Sequence, residues 1–195
     1  GAGWQGDPAA TGAVERGVAL LRVRGAGRRL ATGLYRLGQV HALGGRHDRA
    51  RAVYREALEL VRRHRDRVGE LAVHAVLSAC LAREGELQRA ERHLADAERL
   101  AADVDLPRFH CYVLHARGRL RHARGDLVAA RDDLTTCLDL GPLPAVRLAV
   151  LSDLAEVCRD LGDQAAARRY LRRALATADR MGAAAVAEAI RASLG

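Results

Sequence analysis

The stretch LGQVHALGGRHDRARAVYREAL, Leu37 to Leu58, joins two apolar-periodic segments through a Gly-Gly break. Its Leu, Gly, Ala, Tyr and Ala fall at helical spacing, so it predicts two helices packed across a tight turn. With Gly45 as anchor, similar turn glycines stand at Gly85, Gly125 and Gly162, spaced by 40, 40 and 37 residues. Five positions after each turn come Ala50, Ala90, Ala130 and Ala167. Nine after come Tyr54, Leu94, Leu134 and Leu171, and twelve after come Ala57, Ala97, Cys137 and Ala174. Seven before stand Gly38, Ser78, Gly118 and Ala155. Small residues recur where two helices must approach closely, and large ones one turn away where a knob is needed. The chain therefore repeats one helix-pair unit.

These positions resemble the tetratricopeptide repeat (TPR) family. Leu34, Leu37, Gly38, Gly45, Ala50, Tyr54 and Ala57 match its motif best, and Leu151, Leu154, Ala155, Gly162, Ala167, Leu171 and Ala174 match well. The second copy has His74 where a bulky apolar residue is usual. The third has Arg117 in the Leu place and Arg121 where an aromatic or Leu is common, so its first helix is expected to pack less tightly or to turn an unusual face outward. The resemblance covers about residues 29 to 180. It implies an all-α, antiparallel helix-pair solenoid, a right-handed superhelix of about four repeats of about 40 residues plus terminal helices. Expected units run 29–66, 67–105, 106–142 and 143–181. A tail and the helix of a truncated repeat precede them at 1–28, and a capping helix follows at 182–195. Units longer than the family's 34 residues look like the TPR regions of large actinobacterial regulators of the SARP, LuxR and MalT-like types. There an effector domain and a nucleotide-binding switch domain precede a TPR sensor array.

Punctuation agrees. Asp126 and Asp163 follow their turn glycines and can cap the next helix, while Pro107 and Pro144 suit a first helical turn. Residues 9–24 form an amphipathic helix, and residues 183–193 a final one that can cover the last unit.

Composition supports helices: 49% hydrophobic, mostly Ala, Leu and Val, with 3% aromatics and four prolines. All 32 basic residues are Arg, with no Lys or Asn and single Ile, Phe and Met residues, which indicates a GC-rich source genome such as an actinomycete. In such a genome Arg replaces Lys on ordinary solvated faces, so a net charge of +8 permits an anionic partner without specifying one. The four cysteines, Cys80, Cys111, Cys137 and Cys158, show no CxxC pairing, as expected of reduced thiols in a cytoplasmic protein. No apolar run reaches membrane-span length. The opening GAGWQGD looks like a tag remnant or the edge of an excised piece.

No catalytic motif appears, so an enzyme is not expected, nor is a cofactor. His41 and His47 straddle a turn and are expected to be solvated or packed. His115 and His122 lie two turns apart, about 10 Å by helical rise, with Arg119 between them, which speaks against a metal. The VRRHRDR cluster, Val61 to Arg67, complements a helix dipole. By the family resemblance, first helices line a concave, ligand-binding face. Offsets of thirteen, ten, six and three residues before each turn Gly place there Thr32, Tyr35, Gln39 and Ala42, then Ala72, Ala75, Ala79 and Ala82. The third unit adds Tyr112, His115, Arg119 and His122, and the fourth Ala149, Ser152, Glu156 and Arg159. The expected groove is roomy, with an all-Ala floor beside an electropositive wall. The candidate binding residues are Tyr35, Gln39, Tyr112, His115, Arg119, His122, Glu156 and Arg159. They suit an acidic protein or peptide partner, or a small anionic ligand. The functional expectation is a sensing or interaction module of a transcriptional regulator, touching DNA only through neighbouring domains and no membrane. A stand-alone assembly scaffold is the alternative, and a nucleic-acid-contacting repeat a third.

Overall fold

The computed structural model describes residues 8–103 and 107–194. The opening GAGWQGD and the junction 104–106, where a unit boundary was expected, lie outside them. Ten helices form the described chain: α1 (Pro8–Val23), α2 (Gly27–Leu43), α3 (His47–Arg63), α4 (Arg67–Arg83), α5 (Leu87–Ala102), α6 (Pro107–Ala123), α7 (Leu127–Asp139), α8 (Pro144–Asp160), α9 (Gln164–Arg180) and α10 (Ala184–Leu194). No described helix is long and apolar enough to cross a membrane. The closest packing joins α2 with α3, α4 with α5, α6 with α7 and α8 with α9, and each pair stacks on the next. This is an all-helical, TPR-like helix-pair solenoid.

The recurring positions form its core. Ala50, Ala57, Ala90, Ala97, Ala130, Cys137 and Ala174 are fully buried, as are Tyr54 and Leu134. At Gly38 the small residue is obligatory. A Cβ built there would meet three ring atoms of the buried Tyr54 at under 3.0 Å, so α2 and α3 can approach only over a glycine.

Helices are separated by turns whose left-handed residue falls about every twenty positions. Gly25, Gly45, Gly85 and Gly125 have positive φ, and at the intervening place Arg65 adopts φ 53°. A side chain in that region is strained, so the α3–α4 turn holds a residue its neighbours replace with Gly. Asp163 caps α9 by accepting from the Ala166 N–H at 2.9 Å. Asp126 occupies the N-cap of α7 but makes no side-chain cap hydrogen bond, contrary to expectation; Asp66 caps α4 instead, through the Gly69 N–H at 2.9 Å. Pro107 and Pro144 do begin α6 and α8.

The motif departures are satisfied by partners, not by looseness. Arg117 donates to Asp133 of α7 at 2.8 and 2.9 Å, and Arg121 reaches the same carboxylate at 2.8 Å. A chelated buried Asp thus replaces the apolar contact, and α6 packs firmly: Cys111, Val113, Ala116 and Leu120 are all buried. His74, 1% exposed, lies between Arg62 of α3 and His93 of α5. Arg62 can only donate, so His74 Nε2 accepts at 3.0 Å, and the ring hydrogen sits on Nδ1, 3.0 Å from His93 Nδ1. His41 is buried, as a packing role requires, and Cys158 packs against Ala166 and Ala167 of α9.

Candidate functional site

The inner face of the solenoid encloses a cavity of about 450 Å³. Helices α2, α4, α6, α8 and α10 all contribute to it, the first member of each pair plus the terminal helix. Of the expected residues, Gln39, Tyr112, His115, Arg119, Glu156 and Arg159 line this cavity; Tyr35 and His122 do not. Tyr35 stands behind the wall, where Gln39 Nε2 donates to its hydroxyl at 3.3 Å and burial beside Tyr112 and Tyr54 holds its pKa well above the ordinary value. His122 turns aside to Asp160, 2.6 Å from Nε2.

Two expectations hold only in part. Of the all-Ala floor, Ala75 and Ala79 line the cavity, whereas Ala72 and Ala82 are buried and do not. Small side chains on α4 let α6 close tightly onto it, far more so than α4 closes onto α2 or α8 onto α6. The space beside Ala72 and Ala82 is thus closed, while that beside Ala75 and Ala79 opens into the cavity.

Nor is the wall simply electropositive. Asp153 of α8, 3% exposed, accepts from Arg83 of α4 at 2.7 Å, from Arg119 of α6 at 3.2 Å, and pairs with His115 Nε2 at 2.7 Å. Glu156 accepts from Arg119 at 2.8 Å and from Arg83 at 3.2 Å. Arg119, 5% exposed, also stands 3.3 Å from His122 Nδ1. Burial opposes the charge on Asp153, but Arg119, the His115 hydrogen bond and Arg83 outweigh it and hold the carboxyl well below its ordinary range. The row of cations is thus knotted to two carboxylates.

Arg83, Asp153 and His47 were not among the expected site residues. Asp153 sits one position from Ser152, on the margin between the cavity and packing faces, and an Asp amid the apolar run LAVLSDLAEV was its only signal. His47 belongs to the first turn of α3 and so escaped a count made on first helices. Its pKa is lowered by burial and by the facing Arg83 and Arg119, which keeps the ring neutral. The Cys80 thiol on the same wall is pushed up to about 12, chiefly by burial, and stays protonated. Among the described residues no group of His, Cys, Asp and Glu is arranged to hold a metal ion.

Residues 29–103 match the tetratricopeptide repeat family. No curated protein sequence matches the chain. Among solved structures, BtubC from P. vanneervenii is similar at 18% identity with a TM-score of 0.50, over 90% of this chain and 84% of that one. A signal transduction ATPase with numerous domains and a tetratricopeptide repeat sensor, PH0952 from Pyrococcus horikoshii, is similar at 15% identity with a TM-score of 0.56. That match covers 86% of this chain, which spans only 27% of the ATPase. At such identities the likeness speaks for fold alone. Residues 29–103 therefore carry the tetratricopeptide repeat, within a described chain built throughout as a TPR-like helix-pair solenoid.

Proposed function

We propose that this chain is the recognition module of a larger bacterial transcriptional regulator, binding a ligand or protein partner in its concave cavity. The observation that carries this reading is the cavity itself, to which every first helix from α2 to α8 and the terminal α10 contribute. A repeat solenoid has no other element so placed to feel one bound molecule along its whole length. The repeat length of about 40 residues supports the regulator assignment through its resemblance to such sensor arrays. Binding would bias the docking of neighbouring domains, which alone would contact DNA.

The test uses the parent open reading frame. Ala79→Phe and Ala149→Phe each place a ring in the cavity, whereas Arg172→Ala changes the exposed side of α9. Loss of regulatory response in both cavity variants, with thermal stability and the Arg172→Ala response intact, supports the assignment. A full response in both cavity variants rejects it.

A further inference from the structure

We propose that the concave cavity takes a small amphipathic carboxylate, an apolar body with a single monoanionic head. This rests on the cavity's being the recognition site and names the chemistry it recognises. Three guanidiniums, Arg83, Arg119 and Arg159, line the cavity against two carboxylates, Asp153 and Glu156. Arg83 and Arg119 are both bound to those carboxylates. Arg159 is exposed and has no carboxylate partner among the described residues. Against the two carboxylates the guanidiniums therefore leave one positive charge over.

The hydrogen-bond inventory leans the same way. Arg119 Nε and His47 Nδ1 are buried, with no hydrogen-bond partner among the described residues. A guanidinium N–H can only donate, so a shift of Arg119 toward a bound acceptor would use a donor that the Asp153–Glu156 pair leaves idle. A phosphate monoester carries about −1.5 to −2 charges at neutral pH, more than the surplus of one, whereas a carboxylate carries one. A peptide is disfavoured by the remaining wall. Leu43, Val76, Ala79, Val146, Val186 and Ile190 offer no partners to a backbone that needs one donor and one acceptor satisfied per residue, and Gln39, the lone wall amide with one N–H spent on Tyr35, cannot serve several peptide units. At about 450 Å³ the cavity falls in the range of small-molecule sites.

Calorimetric titration of the purified chain with decanoate, decanol and decyl phosphate, each below its aggregation threshold, tests this. Decanoate should bind at one site per chain, at least tenfold tighter than decanol and tighter than decyl phosphate. Arg159→Ala, an exposed and unpaired position, should erase the advantage over decanol, and Ala79→Phe should abolish binding, with Ala149→Phe as second blocker should Ala79→Phe unfold. Absence of saturable decanoate binding overturns the proposal. So does equal binding of decanol, tighter binding of decyl phosphate, or an unchanged Arg159→Ala. If decanoate fails while Ala79→Phe still silences the parent regulator, only the ligand class falls; if the regulator is also indifferent, the cavity reading falls with it.

Discussion

Arg83 of α4 donates to Asp153 of α8 at 2.7 Å across seventy residues of sequence, bypassing the helix pair between them. Asp153 is the anionic centre on which two arginines and a histidine converge from two other helices. Removing it leaves Arg119 buried with Glu156 as its one remaining carboxylate. Asp153→Ala is expected to cost about 3–5 kcal/mol, a drop in Tm of roughly 10 °C, whereas Arg159→Ala on the same cavity should be near neutral. Thermal melts of the two variants check this. The Asp153 carboxyl is depressed, so its contribution is complete above the ordinary Asp range and is lost only as pH falls through a much lower folded value.

Acid sensitivity should arise elsewhere, at the His74–His93 pair. His93 is lowered to about 4, first by burial and then by His74. His74 is lowered too, by burial, against the pull of Asp96 and Glu70. Unfolded histidine titrates near 6.5, so between about pH 6.5 and 4 the unfolded chain holds more protons and acidification destabilises the fold; below 4 the slope from His93 ends. A Tm-against-pH curve should decline across that window, and His93→Gln should make it shallower, the rest of the slope coming from His41, His47 and His74, which are lowered too. An identical slope in the variant would show that the pair is not responsible.

Gly38 and Gly118 occupy the same motif position but predict different penalties. At Gly38 an added Cβ runs into the buried ring of Tyr54, which has no flexible end to yield. At Gly118 it meets Leu134 Cγ at 2.8 Å, Leu134 Cδ2 at 3.0 Å and the Ala130 carbonyl oxygen at 3.3 Å, each less close than the nearest Tyr54 ring atoms at Gly38. Gly38→Ala should cost about 2–3 kcal/mol and Gly118→Ala about half of that, read from denaturant midpoints at constant m.

The α3–α4 turn offers a gain. Arg65 holds φ 53° where other turns carry Gly. Arg65→Gly removes about 1–2 kcal/mol of left-handed strain and returns part of it as chain entropy in the unfolded state, for a net stabilisation of about 0.5–1 kcal/mol. A Tm rise of a few degrees is the expected result.

How much of this was legible follows from what each residue reports. Gly38, Ala50, Tyr54 and their repeats mark pairwise helix packing, a local property with a fixed spacing, and they revealed the helix pairs and their order. The cavity was legible only where a residue lies squarely on the inner face, as with Tyr112, Arg119 and Glu156. Its electrostatics were not, because the sign of a wall depends on which carboxylate reaches it from another helix. Asp153 comes from a different unit than Arg83, and no spacing within either helix encodes their meeting. The alanines of α4 divided for a related reason: a small side chain permits both an open floor and a close neighbour, and Ala75 and Ala79 border the cavity whereas Ala72 and Ala82 do not.

The Arg83–Asp153 pair fastens α4 to α8 past the helix pair between them. Stacked repeats ordinarily touch only their neighbours, so their stability is a sum of adjacent terms and their ends can fray one by one. Here the Arg83–Asp153 tie skips a unit, from α4 to α8, like a diagonal brace in a truss. The last pair is thereby laced to the second, and the two should melt together in one cooperative transition, whereas an unbraced stack would peel from that end.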